Sequence, residues 1–310
     1  MVRHPQRGLM SDSKNAAPVD YVLLLVLATA WGAAYTFIKI GVETIPPVTL
    51  IAGRTVLAAA LLYPLMRLIG VRFPGDARSW RQFLLQACMN SVIPFTLIAW
   101  AEQTVDAGLA VILNTTTPIF TFLITLAVTR HEPAGARKLI GVVVGLAGVA
   151  LIIGVGALGG LGRALIAQLA IVSASVCYAG AVIFGRNFAQ MHPMVPATGS
   201  LVCGAAILVP ASLVLDQPWT LVPSLRSLAA LASLAAVSTA LAFVIYFRLV
   251  RTLGSIGTTA QSYLRAPIGV AIGILFLGEA LSPTAWIGFV CVVVGVAAMT
   301  LPARRAYAKA

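Results

Sequence analysis

The chain has 310 residues, 60% of them apolar and only 10% charged, with a mean hydropathy of +0.97. A soluble domain carries roughly 25% charged residues, so this composition excludes a water-soluble fold. The formal net charge of +12 comes from basic residues spread along the chain. That distribution argues against a nucleic-acid partner and for the positive-inside bias of a membrane protein.

Residues 1–19 are polar and basic and read as a cytoplasmic tail. From Asp20 onward the chain consists of apolar stretches of the length a bilayer demands, about 20 residues for a core of about 30 Å. Transmembrane helices are expected at 20–41, 47–69, 80–101, 107–128, 137–157, 164–187, 194–215, 227–250, 256–278 and 284–302, with a second tail at 303–310. The first is longer than a signal-peptide core and reads as an uncleaved helix. The connections are short and hold the breakers, such as Pro46-Pro47, Phe73-Pro74-Gly75-Asp76, His192-Pro193 and Asp216-Gln217-Pro218.

Ten helices bring both termini to one side, which then gathers Arg67, Arg72, Arg78, Arg81, Arg130, Arg137, Lys138, Arg186, Arg248 and Arg251 as well as the basic tails. The other side holds Lys39, Arg163 and Arg226 with the acids Glu43, Glu102, Asp106, Asp216 and Glu279. The termini are therefore expected in the cytoplasm. Cys88, Cys177, Cys203 and Cys291 all sit within apolar helices, where a thiol is ordinarily a small core residue. No disulfide and no metal site is expected.

The chain also repeats itself at a fixed offset of 147 (279 − 132 = 147). Glu132 recurs as Glu279, Pro46 as Pro193, Gly141 as Gly288, Gly148 as Gly295, Trp31 as Tyr178, Lys39 as Arg186 and Ile98 as Ile245. Each half holds five expected helices, an odd number, so the second half enters the membrane inverted. The domains are thus a first repeat at 20–157 and an inverted second repeat at 164–302. Inverted repeats are a recurring device of secondary transporters, whose midplane site opens to each side in turn.

Ala30-Trp31-Gly32 with Lys39, then Pro47 and Arg54, Pro118 with Glu132, and Pro267 with Gly278-Glu279 resemble the EamA-type branch of the drug/metabolite transporter superfamily. The resemblance runs from about residue 20 to 302. It implies a ten-helix fold of two inverted five-helix repeats, with a central cavity lined by helices 1–4 and 6–9 and with helices 5 and 10 at the periphery. Amino-acid and metabolite exporters, the YddG type among them, are the relatives it implies. His131 departs from the Gly usually found before the first glutamate, and both Glu132 and Glu279 read as loop and helix-end residues.

An ionisable residue at mid-membrane is a functional candidate by default. Arg265 falls near the middle of helix 9, where its guanidinium can pair with a substrate carboxylate; its plainer role is binding internal carbonyls. Arg54, in helix 2, reads as structural or gating. No Asp or Glu falls deep in any expected helix, which argues against a buried proton relay and fits a facilitator or a carrier of zwitterions or anions. The candidate substrate-binding residues are Trp31, Tyr35, Asn90, Asn114, Thr117, Tyr178, Tyr246, Gln261, Tyr263 and Arg265. For any one of these, interhelical hydrogen bonding at about 0.6 kcal/mol is the ordinary alternative; as a group they read as a cavity of amides and ring faces. Pro94, Pro118 and Pro267 interrupt helices 3, 4 and 9 and are hinge candidates.

The expected function is secondary transport of small metabolites, amino acids by export foremost, in a bacterial inner membrane. The expected partners are a small-molecule substrate and the lipid bilayer, in a monomer or weak homodimer. A membrane-embedded enzyme would need a catalytic cluster, but His4, His131 and His192 are scattered. A receptor or scaffold predicts a binding domain or a long tail. A carrier of nucleobases, sugars or cationic drugs is the alternative within the family. No phosphate-binding loop and no cofactor motif is present.

Overall fold

The computed structural model describes residues 18–129, 136–157, 163–188, 190–252 and 261–300. Among these the chain is all helical, without a strand. Its rods are α1 (Pro18–Gly41), α2 (Pro47–Leu68), α3 (Ala77–Ala101), α4 (107–129), α5 (Ala136–Ala157), α6 (163–188), α7 (Met194–Leu215), α8 (225–252), α9 (Gln261–Leu277) and α10 (Pro283–Thr300). Seven of the described helices are long and apolar enough to cross a membrane, and Leu264–Leu277 and Pro283–Ala298 are shorter apolar helices.

The helix limits lie within a few residues of those expected from hydropathy. At α3 the difference has a local cause. Asp76 accepts a hydrogen bond from Ser79 N at 2.7 Å and so starts the helix at Ala77, ahead of the apolar run from Trp80. The expected start of helix 9, at 256–260, lies outside the described residues.

The helix pairing has a hidden regularity. The main contacts are α5 with α10, α2 with α7, α4 with α9, α1 with α9, α6 with α4, α1 with α8, α6 with α3, α3 with α7 and α8 with α2. Exchanging α1–α5 with α6–α10 returns the same set. Local breaks follow it in part: the π-helical segments at Cys88–Val92 in α3 and Ala236–Leu241 in α8 overlap at the sequence offset, while the one at Thr125–Thr129 in α4 has no counterpart in α9.

α5 and α10 pack chiefly on each other, and glycine makes their approach possible. A Cβ at Gly148 would lie 2.7 Å from Gly288 O, and one at Gly295 would lie 2.5 Å from Gly141 O. These are the four glycines that the repeat relates, and they meet as Gly148–Gly288 and Gly141–Gly295, each contact being the image of the other. The backbones touch because nothing stands between them.

At one end of the bundle Asp20, in the first turn of α1, accepts at its Oδ1 from Arg248 Nε of α8 at 3.3 Å. At the opposite, distal end the two halves are latched. Asp216 Oδ2 accepts from Thr49 N and Thr49 Oγ1, both at 2.8 Å, Ser224 N donates to Thr44 Oγ1 at 3.0 Å, and Ser227 Oγ donates to Ile40 O at 2.9 Å. Gly278 adds a further latch. Its φ of +68° reverses the chain at the end of α9, and Glu279 N donates back to Gly273 O. The Glu279 carboxylate is thereby aimed at the start of α4, where Ala107 N and Gly108 N donate to it at 2.7 and 2.8 Å.

Candidate functional site

The polar centre is built around Asn114, which is 1% exposed. Pro118 lacks the N–H that would bond the carbonyl of Asn114 four residues back. The chain turns at Thr115-Thr116, and Thr117 Oγ1 takes over that carbonyl at 2.9 Å. The Asn114 amide is left to bind other helices. Its Oδ1 accepts from Tyr35 OH of α1 at 2.8 Å and from Arg265 Nη2 of α9 at 3.4 Å. Its Nδ2 donates to Ser175 Oγ of α6 at 3.2 Å.

One amide therefore ties four helices from both halves. Arg265 can come this close because α1 and α9 touch at Gly32, where a Cβ would lie 3.0 Å from the Arg265 carbonyl and 3.1 Å from Gly269 N. The buried Nε of Arg265 has no hydrogen-bond partner among the described residues. Its guanidinium has donors to spare.

Beside this group lies Arg54, 6% exposed. Its Nε donates to Thr239 Oγ1 at 3.0 Å, and its Cζ sits 3.7 Å over the Phe95 ring. Thr239 is presented by the π-helical segment of α8, its hydroxyl donating back to Leu234 O at 2.9 Å. Phe95 in turn packs on Tyr178, with ring centroids 6.3 Å apart. Tyr35 and Tyr178 are both within electrostatic reach of Arg54 and Arg265. The centre thus offers two cations, two phenols, one amide and two ring faces.

Of the residues singled out from sequence, Tyr35, Asn114, Thr117, Tyr178 and Arg265 meet here, and Arg54 joins them. Trp31 and Tyr246 pack on each other in a tilted pair, centroids 5.7 Å apart, in a separate apolar cluster of α1 and α8. Asn90 is half-buried in the π-helical segment of α3, four residues before Pro94, and Gln261 is buried at the start of α9. The side chain of Tyr263 lies outside the described residues, as does Glu132. Pro267 stands inside α9 without ending it. Ser175, Phe95 and Thr239 escaped the sequence reading, since small hydroxyls and a Phe in apolar helices carry no positional signal.

One reading from sequence needs correcting. Glu102 lies at a helix end as expected, yet its side chain is fully buried, and neither carboxylate oxygen has a hydrogen-bond partner among the described residues. Its neighbours Gln103, Thr104 and Asp106 in the same connection are exposed, whereas Glu102 is turned inward. The bundle therefore does contain a buried carboxyl. An open groove of about 360 Å³ between α3 and α7, lined by Trp80, Arg81 and Cys203 among others, lies apart from the polar centre.

The model of the EamA-like transporter family matches residues 20–154 and again residues 165–301. The uncharacterized inner membrane transporter YedA of Escherichia coli is 27% identical over 280 residues, 90% of this chain and 89% of that one. A probable amino-acid metabolite efflux pump of Escherichia coli is 28% identical, covering 89% of this chain and 93% of the pump. A probable terminal-alkyne amino-acid exporter of Streptantibioticus cattleyicolor is 26% identical, covering 89% and 91%. A solved structure described only as a crystal structure of a protein superposes with a TM-score of 0.66 at 17% identity, over 93% of this chain and 99% of its own, and so shares the fold.

Proposed function

This chain belongs to the EamA-like transporter family, and on that premise we propose that it exports amino acids and related carboxylate-bearing metabolites by alternating access at the Tyr35, Asn114 and Arg265 centre. The observation that carries the reading is Arg265. Its one described side-chain contact is long, at 3.4 Å, and its buried Nε is unpaired. Unspent guanidinium donors in a low-dielectric centre are costly, and a carboxylate satisfies two of them in parallel. The Asn114 amide and the Tyr35 hydroxyl then face the rest of an amino-acid backbone, while Phe95 and Tyr178 offer ring faces to its side chain.

Alternating access follows from the repeat. Residues 20–157 and 164–302 act as inverted five-helix repeats that exchange conformations, and Pro94, Pro118 and Pro267 are the points at which α3, α4 and α9 bend. Trp31, Asn90, Tyr246 and Gln261 line the path to either side, and Arg54 holds α2 against α8 as a gating residue. The charge asymmetry supports ten spans with both tails, 1–19 and 303–310, in the cytoplasm, and the printed name of YedA supports an inner membrane. The names of the efflux pump and of the terminal-alkyne amino-acid exporter support an amino-acid cargo moved outward.

The test is flux of radiolabelled amino acids through the purified chain in liposomes. Arg265→Ala should lower flux of carboxylate substrates about a hundredfold, in line with truncating a buried charge that pairs with its ligand, without changing the thermal unfolding midpoint. Arg265→Lys should recover part of it. Normal flux in Arg265→Ala would remove this residue from the site; no flux of any amino acid through the native chain would retire the cargo and leave the family standing.

A further inference from the structure

Glu102 is a buried carboxyl that the transport reading leaves unused. The titratable groups facing it are accounted for from each side. From α1, Lys39 donates its ammonium not to the carboxylate but to the backbone carbonyls of Glu102 at 2.7 Å and Val105 at 2.8 Å. Tyr35, also from α1, gives its hydroxyl to Asn114. From α2, Arg54 is engaged by Thr239 and Phe95. From the α9–α10 connection, Glu279 has both oxygens occupied by the amides of Ala107 and Gly108. Asp106, at the start of α4, is exposed.

No described hydrogen bond or ion pair therefore reaches either oxygen of Glu102. An ionised carboxylate so placed would be desolvated and without a hydrogen bond, and the attraction of the Lys39 ammonium is opposed by a second carboxylate at Glu279. A neutral carboxyl escapes that cost. We propose that Glu102 is a proton-binding site linked to closure of the distal end: while that end is shut the carboxyl holds a proton, and opening it to water releases the proton to the distal side.

The latches around it make the linkage mechanical. Glu279 on the amides of α4, Asp216 on Thr49, and Thr44 with Ser224 all cross between the halves at this end. When they part, water enters and the Lys39 ammonium gains an anion to pair with. The Glu102 O–H bond then breaks heterolytically, the electron pair stays on the carboxylate, and the proton leaves on water as hydronium. The closed form binds this proton more tightly than the open form, so closure is favoured at low distal pH and opening at high pH. One proton per opening makes the opening equilibrium rise about tenfold per pH unit, from about pH 5 up to the value at which the closed form itself ionises.

The inference rests on alternating access but not on the cargo, and its test uses no substrate. In the full chain with Cys88, Cys177, Cys203 and Cys291 changed to Ala, Ala101→Cys places a thiol at a fully buried position beside Glu102. Its maleimide reaction is followed in nanodiscs as pH rises and normalised to the same thiol in SDS at each pH. The normalised rate should climb by up to about tenfold per pH unit, and Glu102→Gln should hold it low and flat. A flat profile with Glu102 intact, or an unchanged slope in Glu102→Gln, would overturn the proposal. Should that variant fail to fold, Glu102→Asp must move the midpoint, and an unmoved midpoint is equally adverse. Arg265→Ala should lower flux about a hundredfold yet leave this profile intact, so the two readings fail separately.

Discussion

The α5–α10 crossing and the Asn114 centre lie in one pseudo-symmetric bundle and treat that symmetry oppositely. At the crossing, each contact has its image: Gly148 on Gly288 and Gly141 on Gly295. At the centre almost nothing has one. Asn114 is matched by the amide of Gln261, but Arg265 is matched by Pro118, Arg54 by Leu201 and Ser175 by Ala28. Backbone packing has one solution where two helices touch at van der Waals distance, so both copies keep it. A solute has no twofold axis, so a site that grips it has reason to become asymmetric.

The largest expected effect breaks the symmetric part. Gly148→Leu drives a side chain into Gly288 O and Cys291 Cβ, 2.7 and 2.9 Å from the new Cβ, with backbone on one side that cannot yield. Overpacking typically costs about 1–3 kcal/mol and more where backbone blocks relief, and the variant should lose its cooperative thermal unfolding transition. Gly75→Leu, where nothing lies within 4 Å, should leave the transition in place. If Gly148→Leu unfolds like the native chain, the crossing is not the fixed axis of the bundle.

A smaller effect asks how far the symmetry extends into the connections. Glu279→Ala removes two charge-assisted bonds from the first amides of α4, 2.7 and 2.8 Å long, and should cost about 1–2 kcal/mol in thermal or denaturant unfolding. Glu132 is its repeat mate in sequence and lies outside the described residues. Glu132→Ala should cost a similar amount. A cost near zero would confine the symmetry to the helices.

Much of the scaffold could be read from the chain because it rests on properties that act residue by residue. Hydropathy sets where a helix lies, whereas Gly141, Gly148, Gly288 and Gly295 stand out in the chain only as repeat mates, and their contact across α5 and α10 is seen only in the fold. The centre was legible only in part. Asn114 and Arg265 stand out because an amide and a guanidinium are expensive in an apolar helix. Ser175 and Thr239 do not, because a hydroxyl in a helix is satisfied by its own backbone and looks the same whether or not it also serves a neighbour. Glu102 was placed at the correct helix end, but its burial depends on α1 and the α9–α10 connection closing over it, which no local pattern encodes.

The smallest effect compares the caps of α3 and α8, which occupy nearly equivalent places in the two halves. Asp76 caps α3 through Ser79 N at 2.7 Å, and Ser224 caps α8 through Ser227 N at 3.1 Å. The bonds from the Ser79 amide, and next from its hydroxyl, hold the Asp76 carboxyl below the usual carboxylate range. A carboxyl depressed on folding stabilises its helix above its ordinary ionisation range, and that contribution is lost as pH falls through the lowered folded value. The window lies below about pH 4. Ser224 has no proton to gain there. Amide exchange at Ser79, corrected for the intrinsic rate, should therefore speed up as the medium is acidified while Ser227 stays protected. Asp76→Ser should flatten the first profile, and Ser224→Asp should give α8 the acid sensitivity of α3. Equal responses of Ser79 and Ser227 to acid would mean that packing, not the cap, holds the start of both helices, and that the two halves are alike even where their sequences differ.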